Sequence, residues 1–163
     1  MDEKDYIPYM RKMIGHKRML TVGLCCLILN EKNQLLLEKR TDNGLYCIPG
    51  GSLDFDETVI EGVKREVREE TGILLKEVSL FMIQSGSKMQ LSYPNGDVTD
   101  YMDLCFIARV DSKDIDLNKE HDDESSLIAF YDLDKLPKEE ELLRGTKAMI
   151  DKLLKEDYSI TVD

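Results

Sequence analysis

The run Leu20–Leu29, LTVGLCCLIL, is apolar or β-branched almost throughout, yet it is only ten residues long. A bilayer-spanning helix needs about 18 or more such residues, so this run belongs inside a globular fold and reads as a strand. The cluster NEKNQ that follows is turn-like, and LLLEKR resumes the apolar pattern, so the two runs predict a hairpin. GLYCIPGG adds a short strand closed by a Gly-rich turn. EVSLFMIQSG and YMDLCFIARV are further strands, separated by YPNGD, where Pro94 fixes φ and Asn95-Gly96 accepts positive φ. SLIAFYDL is another strand.

The clearest helix runs from Glu57 to about Thr71. Asp56 is placed to cap it, Glu57 complements the helix dipole, and Gly72 is placed to end it. Val59, Val63 and Val67 recur every four residues, with Ile60 beside them, and mark a core-facing stripe. After Pro137 the apolar set Leu142, Leu143, Met149, Ile150, Leu153 and Leu154 predicts a C-terminal helix over 138–156, interrupted near Gly145. Residues 1–17 supply an N-terminal arm or a short helix. Strands enclosing one central helix, with another helix last, argue for an α/β fold layered around a mixed sheet. A chain of 163 residues is most simply one domain, 1–163.

The net charge of −11 excludes broad electrostatic attachment to nucleic acid or to an anionic membrane, both of which need clustered Lys and Arg. It does not exclude a phosphorylated ligand held through metal ions. Arg11, Lys12 and His16 form a small basic cluster whose expected place is the surface. The N-terminus, MDEKDYIPYM, is acidic and lacks the apolar core of a signal peptide. Cys25, Cys26, Cys47 and Cys105 form no CxxC pair and read as reduced core residues of a cytoplasmic protein. His16 and His121 are not at zinc-ligand spacing.

The helix carries a problem of its own. Glu66, Glu69 and Glu70 stand at i, i+3 and i+4 and share one face, where like charges cost a few tenths of a kcal/mol per pair, roughly, and more as water is excluded. A solvated charged face is the ordinary reading of EVREE. A hard divalent cation is the other, because all-oxygen ligands suit Mg²⁺ or Mn²⁺ rather than zinc. On the adjacent face Glu57, Glu61 and Arg65 line up, so that Arg65 can pair with Glu61, or tie Glu57 and the preceding turn together if the helix start bends toward it. Gly50 and Gly51 leave room for backbone to approach a ligand.

Gly51, Glu57, Arg65, Glu66, Val67, Glu69, Glu70, Gly72 and Ile73 together match every specified position of the Nudix box, G-x5-E-x7-R-E-U-x-E-E-x-G-U with U apolar. At average residue usage a chance match in this length is rarer than roughly one in a million. The chain therefore resembles the Nudix hydrolases. That resemblance implies an α/β/α sandwich with a mixed β-sheet, in which the box forms a loop-helix-loop. It also implies metal-dependent hydrolysis of a nucleoside diphosphate linked to another moiety, NDP-X. By the same resemblance Glu66, Glu69 and Glu70 are metal ligands for Mg²⁺ or Mn²⁺, with a backbone carbonyl of Gly50 or Gly51, while Glu57 and Arg65 support the loop. Asp54, Asp56 and Tyr46 depart from residues common in the family, but at none of its defining positions.

The implied reaction is attack of water on phosphorus. Its base is either Glu66 or an acid of the later segment KEHDDESS, where Glu124 is favoured over Glu120, Asp122 and Asp123 for its closeness to the next strand. Arg40 and Tyr46 are candidate substrate contacts; a strand-end charge and a core aromatic are their plain alternatives. The ligand class is a small nucleotide derivative, with no nucleic acid or membrane partner expected, and a homodimer stays open. The competing function is a catalytically silent Nudix domain that binds a nucleotide-like ligand as a regulator. Loss of a box glutamate would favour it, and none is lost.

Overall fold

The computed structural model describes residues 5–115 and 125–163. Its strands form one sheet, with β1 (Met19–Leu29) at its centre. The order along the sheet is β3 (Tyr46–Cys47), β2 (Leu35–Arg40), β1, β7 (Val98–Arg109), β5 (Ser79–Gln84) and β9 (Thr161–Val162). β4 (Gly50–Ser52) pairs with β1, β6 (Gln90–Ser92) with β7, and β8 (Ser125–Tyr131) with β2. Most neighbours are antiparallel, as hairpins require. β1 and β7, however, run parallel over eleven residue pairs, from Met19↔Thr99 to Leu29↔Arg109, which makes the sheet mixed.

The period of two along β1 sorts its side chains between two cores. Cys25, Leu27 and Leu29 point to the face covered by α3 (Thr146–Leu154), with Phe81, Met149, Ile150 and Leu153. Leu24, Cys26 and Ile28 point to the face covered by α2 (Val59–Thr71), with Val63, Val67 and Phe106. A helix on each face of a mixed sheet is the α/β/α sandwich expected from the sequence. All four cysteines are buried free thiols. No helix among the described residues is long and apolar enough to cross a membrane.

Several boundaries differ from expectation for local reasons. α2 begins at Val59, because Thr58 and Glu61 form a reciprocal capping box; Asp56 is not the cap but lies in the turn before it with φ 64, a left-handed conformation that Asp tolerates. Gly72 ends α2 in the left-handed conformation, as expected. Ile60 is 39% exposed and leaves the core stripe to Val63 and Val67. The Gly-rich segment after Pro49 is itself a strand, β4, rather than only a turn. Gly145 precedes α3, so the C-terminal helix is shorter than 138–156 and follows a single 3₁₀ turn, Glu139–Glu141. The N-terminal segment contains a helix, α1 (Tyr6–Ile14).

Candidate active site

β4 lays Gly51 opposite Leu24 and Gly50 opposite Cys25, which brings the loop before α2 alongside the middle of β1. Arg65, two turns into α2, then gathers that loop. Its Nε and Nη2 donate to the two carboxylate oxygens of Glu57 at 2.9 and 2.7 Å, and Nη2 also donates to the Ser52 carbonyl at 3.0 Å. Its Nη1 lies 2.9 Å from Glu66 Oε1 and donates to Glu69 Oε2 at 3.1 Å. Asp54 Oδ2 is 3.3 Å away, and the Asp54 N–H donates to Glu57 Oε1 at 2.9 Å. One planar fork thus joins the strand, the loop and the acidic helix face, a geometry that a lysine ammonium does not reproduce. Arg65 does not take Glu61 as its partner; Glu61 is used by the capping box.

The three box acids are in different surroundings. Burial pushes the Glu66 carboxyl up to about 7 against the opposing pull of Arg65. Glu70 is 5% exposed and accepts the Gly50 N–H at 2.6 Å, while half of the Glu69 side chain is in water. The Arg65 hydrogen bonds hold Glu57 below the usual carboxylate range. Gly51 leaves room for Glu66: a Cβ there would lie 2.4–2.5 Å from the Glu66 carboxyl group. Among the described residues, no three acid, cysteine or histidine side chains are gathered closely enough to hold a cation as they stand. Glu66 and Glu69 are turned onto Arg65, and Glu70 onto an amide. The donor set itself is all carboxylate and carbonyl oxygen, partly desolvated, which is chemistry that fits a hard divalent cation.

These groups line an open cleft of about 760 Å³. Across it stand Thr99, Tyr101 and Asp103, alternate residues of β7, together with Tyr93, Leu143 and Arg144. Tyr93 and Tyr101 share a hydroxyl hydrogen bond of 2.8 Å. The Asp103 carboxyl lies over Gly23 of β1, where any Cβ would come within 1.8 Å of it, and burial raises it to about 6. Nothing in the sequence reading singled out Asp103; its only signal was a lone acid within an apolar strand.

Arg40 lines the same cleft and is clamped by Asp42, with bonds of 2.9 and 3.0 Å. Tyr46 is held by protein neighbours, its ring meeting Tyr131 edge-on at 5.9 Å with Lys39 over its face at 5.1 Å. Arg11 is not the surface residue expected: its side chain is 13% exposed and it lines the cleft. Glu124, with Glu120, Asp122 and Asp123, lies outside the described residues.

An α/β/α sandwich whose acidic helix and glycine strand are tied by one arginine beside an open cleft defines a recognisable class. The model of the NUDIX domain matches residues 19–153, and the chain belongs to the Nudix family. It is 34% identical over 114 residues to an ADP-ribose pyrophosphatase of Methanocaldococcus jannaschii, covering 68% of this chain and 62% of the relative. It is 47% identical over 53 residues to a MutT-like protein of Streptomyces ambofaciens, covering 32% of this chain and 34% of that one. The chain thus matches less than two thirds of the length of these curated relatives. Among solved structures it resembles a MutT NUDIX hydrolase from Burkholderia pseudomallei, with a TM-score of 0.65 and 25% identity, covering 83% of this chain and 98% of that one.

Proposed function

We propose that this protein is a divalent-metal-dependent pyrophosphohydrolase that cleaves the phosphoric anhydride of an NDP-X compound. The observation that carries the reading is the Arg65 knot: it fixes Glu57, Glu66, Glu69 and the Ser52 carbonyl at one edge of the cleft. The name of the Methanocaldococcus relative, an ADP-ribose pyrophosphatase, supports a nucleoside diphosphate as the common part of the substrate.

Glu66, Glu69, Glu70 and the Gly51 carbonyl would hold Mg²⁺ or Mn²⁺. Such a cation supplies positive charge to the pyrophosphate oxygens and acidifies a water. The chain's own contribution is positioning. Arg65 keeps the loop from drifting as the acids rearrange, and Glu57 holds the Arg65 plane from the other side. Gly51 gives Glu66 its place. A carboxylate takes the proton of the attacking water, either Glu66 or an acid of residues 120–124. Arg40 is held toward the cleft by Asp42 through Nε and Nη2, and its guanidinium has further N–H donors for a ligand phosphate.

The test is release of nucleotide from a panel of NDP-X compounds with Mg²⁺ or Mn²⁺, comparing wild type with Glu70→Gln, Glu66→Gln and Glu124→Gln. Metal-dependent turnover that Glu70→Gln abolishes supports the hydrolase. Full activity in Glu124→Gln removes that residue as base. Ligand binding without turnover on any compound replaces the hydrolase with the silent binding domain.

A further inference from the structure

α1 has no buried residue of its own, and it lies N-terminal to the segment 19–153 that matches the family. Its position comes instead from two fastenings. At its start, the Tyr6 N–H donates to Asp54 Oδ1 at 2.8 Å, and the Phe55 ring is met edge-on by Tyr6 at 5.3 Å and Tyr9 at 5.6 Å. At its end, Arg11 Nη1 donates to the Gly15 and Lys17 carbonyls at 3.1 and 2.7 Å. Arg11 Nη2 donates to the Val98 carbonyl at 3.2 Å and to Thr99 Oγ1 at 2.8 Å. Asp97 Oδ1 stands 3.4 Å from Arg11 Nε. The helix therefore bridges the box loop and the start of β7; Ile7 and Pro8, between the fastenings, and Asp5, just before the first, line the cleft.

The chemistry of that lining indicates what it meets. Asp5 repels phosphate oxygens, whereas Ile7 and Pro8 offer apolar surface. Both Arg11 Nη groups donate to protein acceptors, and its Nε is buried without a hydrogen-bond partner of its own, so the side chain acts as a brace. Phosphate-compatible chemistry lies elsewhere in the cleft, at Arg40 and at the acids that would hold a cation. On the reading that this cleft takes an NDP-X substrate, we propose that α1 is a wall of the substrate site that contacts the organic portion of the ligand, with Arg11 as its positioning residue.

The proposal is tested by calorimetry with Mg²⁺ and two probes, ADP and inorganic pyrophosphate, which differ by the nucleoside. Arg11→Ala weakens ADP by about tenfold and pyrophosphate by less than about twofold, the first being roughly 1.4 kcal/mol. Its Tyr6–Ile14 amides exchange faster, while those of α2 keep their protection. Ile7→Ala, which leaves the fastenings intact, also weakens ADP alone, so the proposal stays testable if Arg11→Ala unfolds. Equal loss for both probes, or unchanged ADP binding in both variants, overturns the wall. If the wild type still turns over NDP-X in that case, the hydrolase reading stands without it. A wild type with no turnover and no binding of either probe removes the hydrolase reading and the wall together.

Discussion

Gly51→Ala separates the placing of Glu66 from the stability of the fold. The added Cβ would lie 2.4–2.5 Å from the Glu66 carboxyl, where ordinary contact begins near 3.4 Å, so one of the two groups must move by close to an ångström. The mobile partner is the carboxyl, the far end of a flexible side chain; Gly51 itself is paired in β4 and is not among the residues with positive φ. Losing the 2.9 Å contact between Glu66 and Arg65 costs up to about 1 kcal/mol for a partly exposed pair. Replacing Gly returns about 0.4–1 kcal/mol by restricting the unfolded chain. The two nearly cancel, so the melting temperature moves by no more than about 4 °C for a chain of this size. The rate does not share that cancellation: a displacement near 1 Å at a reacting group costs on the order of 100-fold. Thermal unfolding and NDP-X turnover on the same preparation check both halves. Activity within threefold of wild type would refute the steric argument, and a collapse in melting temperature would show that backbone, not Glu66, had moved.

Other perturbations follow from the same structure. Asp103→Asn tests a buried acid. Because the folded carboxyl is raised to about 6 from an ordinary 3.8, its contribution is most favourable below the lower value and is lost as pH rises through the upper one. Wild type therefore loses stability between about pH 4 and 7 at this site, by at most about 3 kcal/mol. Asp103→Asn removes that part of the slope, and urea midpoints at pH 5 and 8 read it; identical slopes in the two proteins would contradict the assignment. Lys152→Met removes an ammonium that sits 4.8 Å over the Phe81 ring and donates to the Asp157 carbonyl at 2.8 Å. It costs about 1–2 kcal/mol in chemical denaturation and loosens the β9 amides. Glu70→Gln keeps an acceptor for the Gly50 N–H, so its turnover falls by more than about 100-fold with the fold intact, as thermal melting and activity together would show.

The parts of this molecule that were readable beforehand are those where one local pattern dominates. β1 and β2 follow from apolar runs separated by a turn, and Gly72 ends α2 because few other residues accept its conformation. The Arg65–Glu57 link was within reach because both positions belong to one spaced motif. The errors occurred where two local rules compete. Asp56 and Thr58 are both good caps, and the reciprocal bond to Glu61 decides for Thr58. β4 and β9 are too short to carry a pattern, and exist because β1 and β5 offer partners. The site was least legible where it depends on distant residues: Asp103 over Gly23, and Arg11 on Thr99, are contacts between segments some eighty positions apart.

That separation also governs how the molecule is made. The eleven-pair parallel match of β1 with β7 joins residues eighty positions apart, so a long loop must close before its contacts give any return. The hairpin of β1 and β2 and the capped start of α2 need no such closure and can form while β7 is still unplaced. During synthesis, then, every acid of the box emerges before Thr99, Tyr101 and Asp103. A chain released after β5 would carry every acid of the box and no cleft beside them, so the cleft waits until β7 has paired with β1.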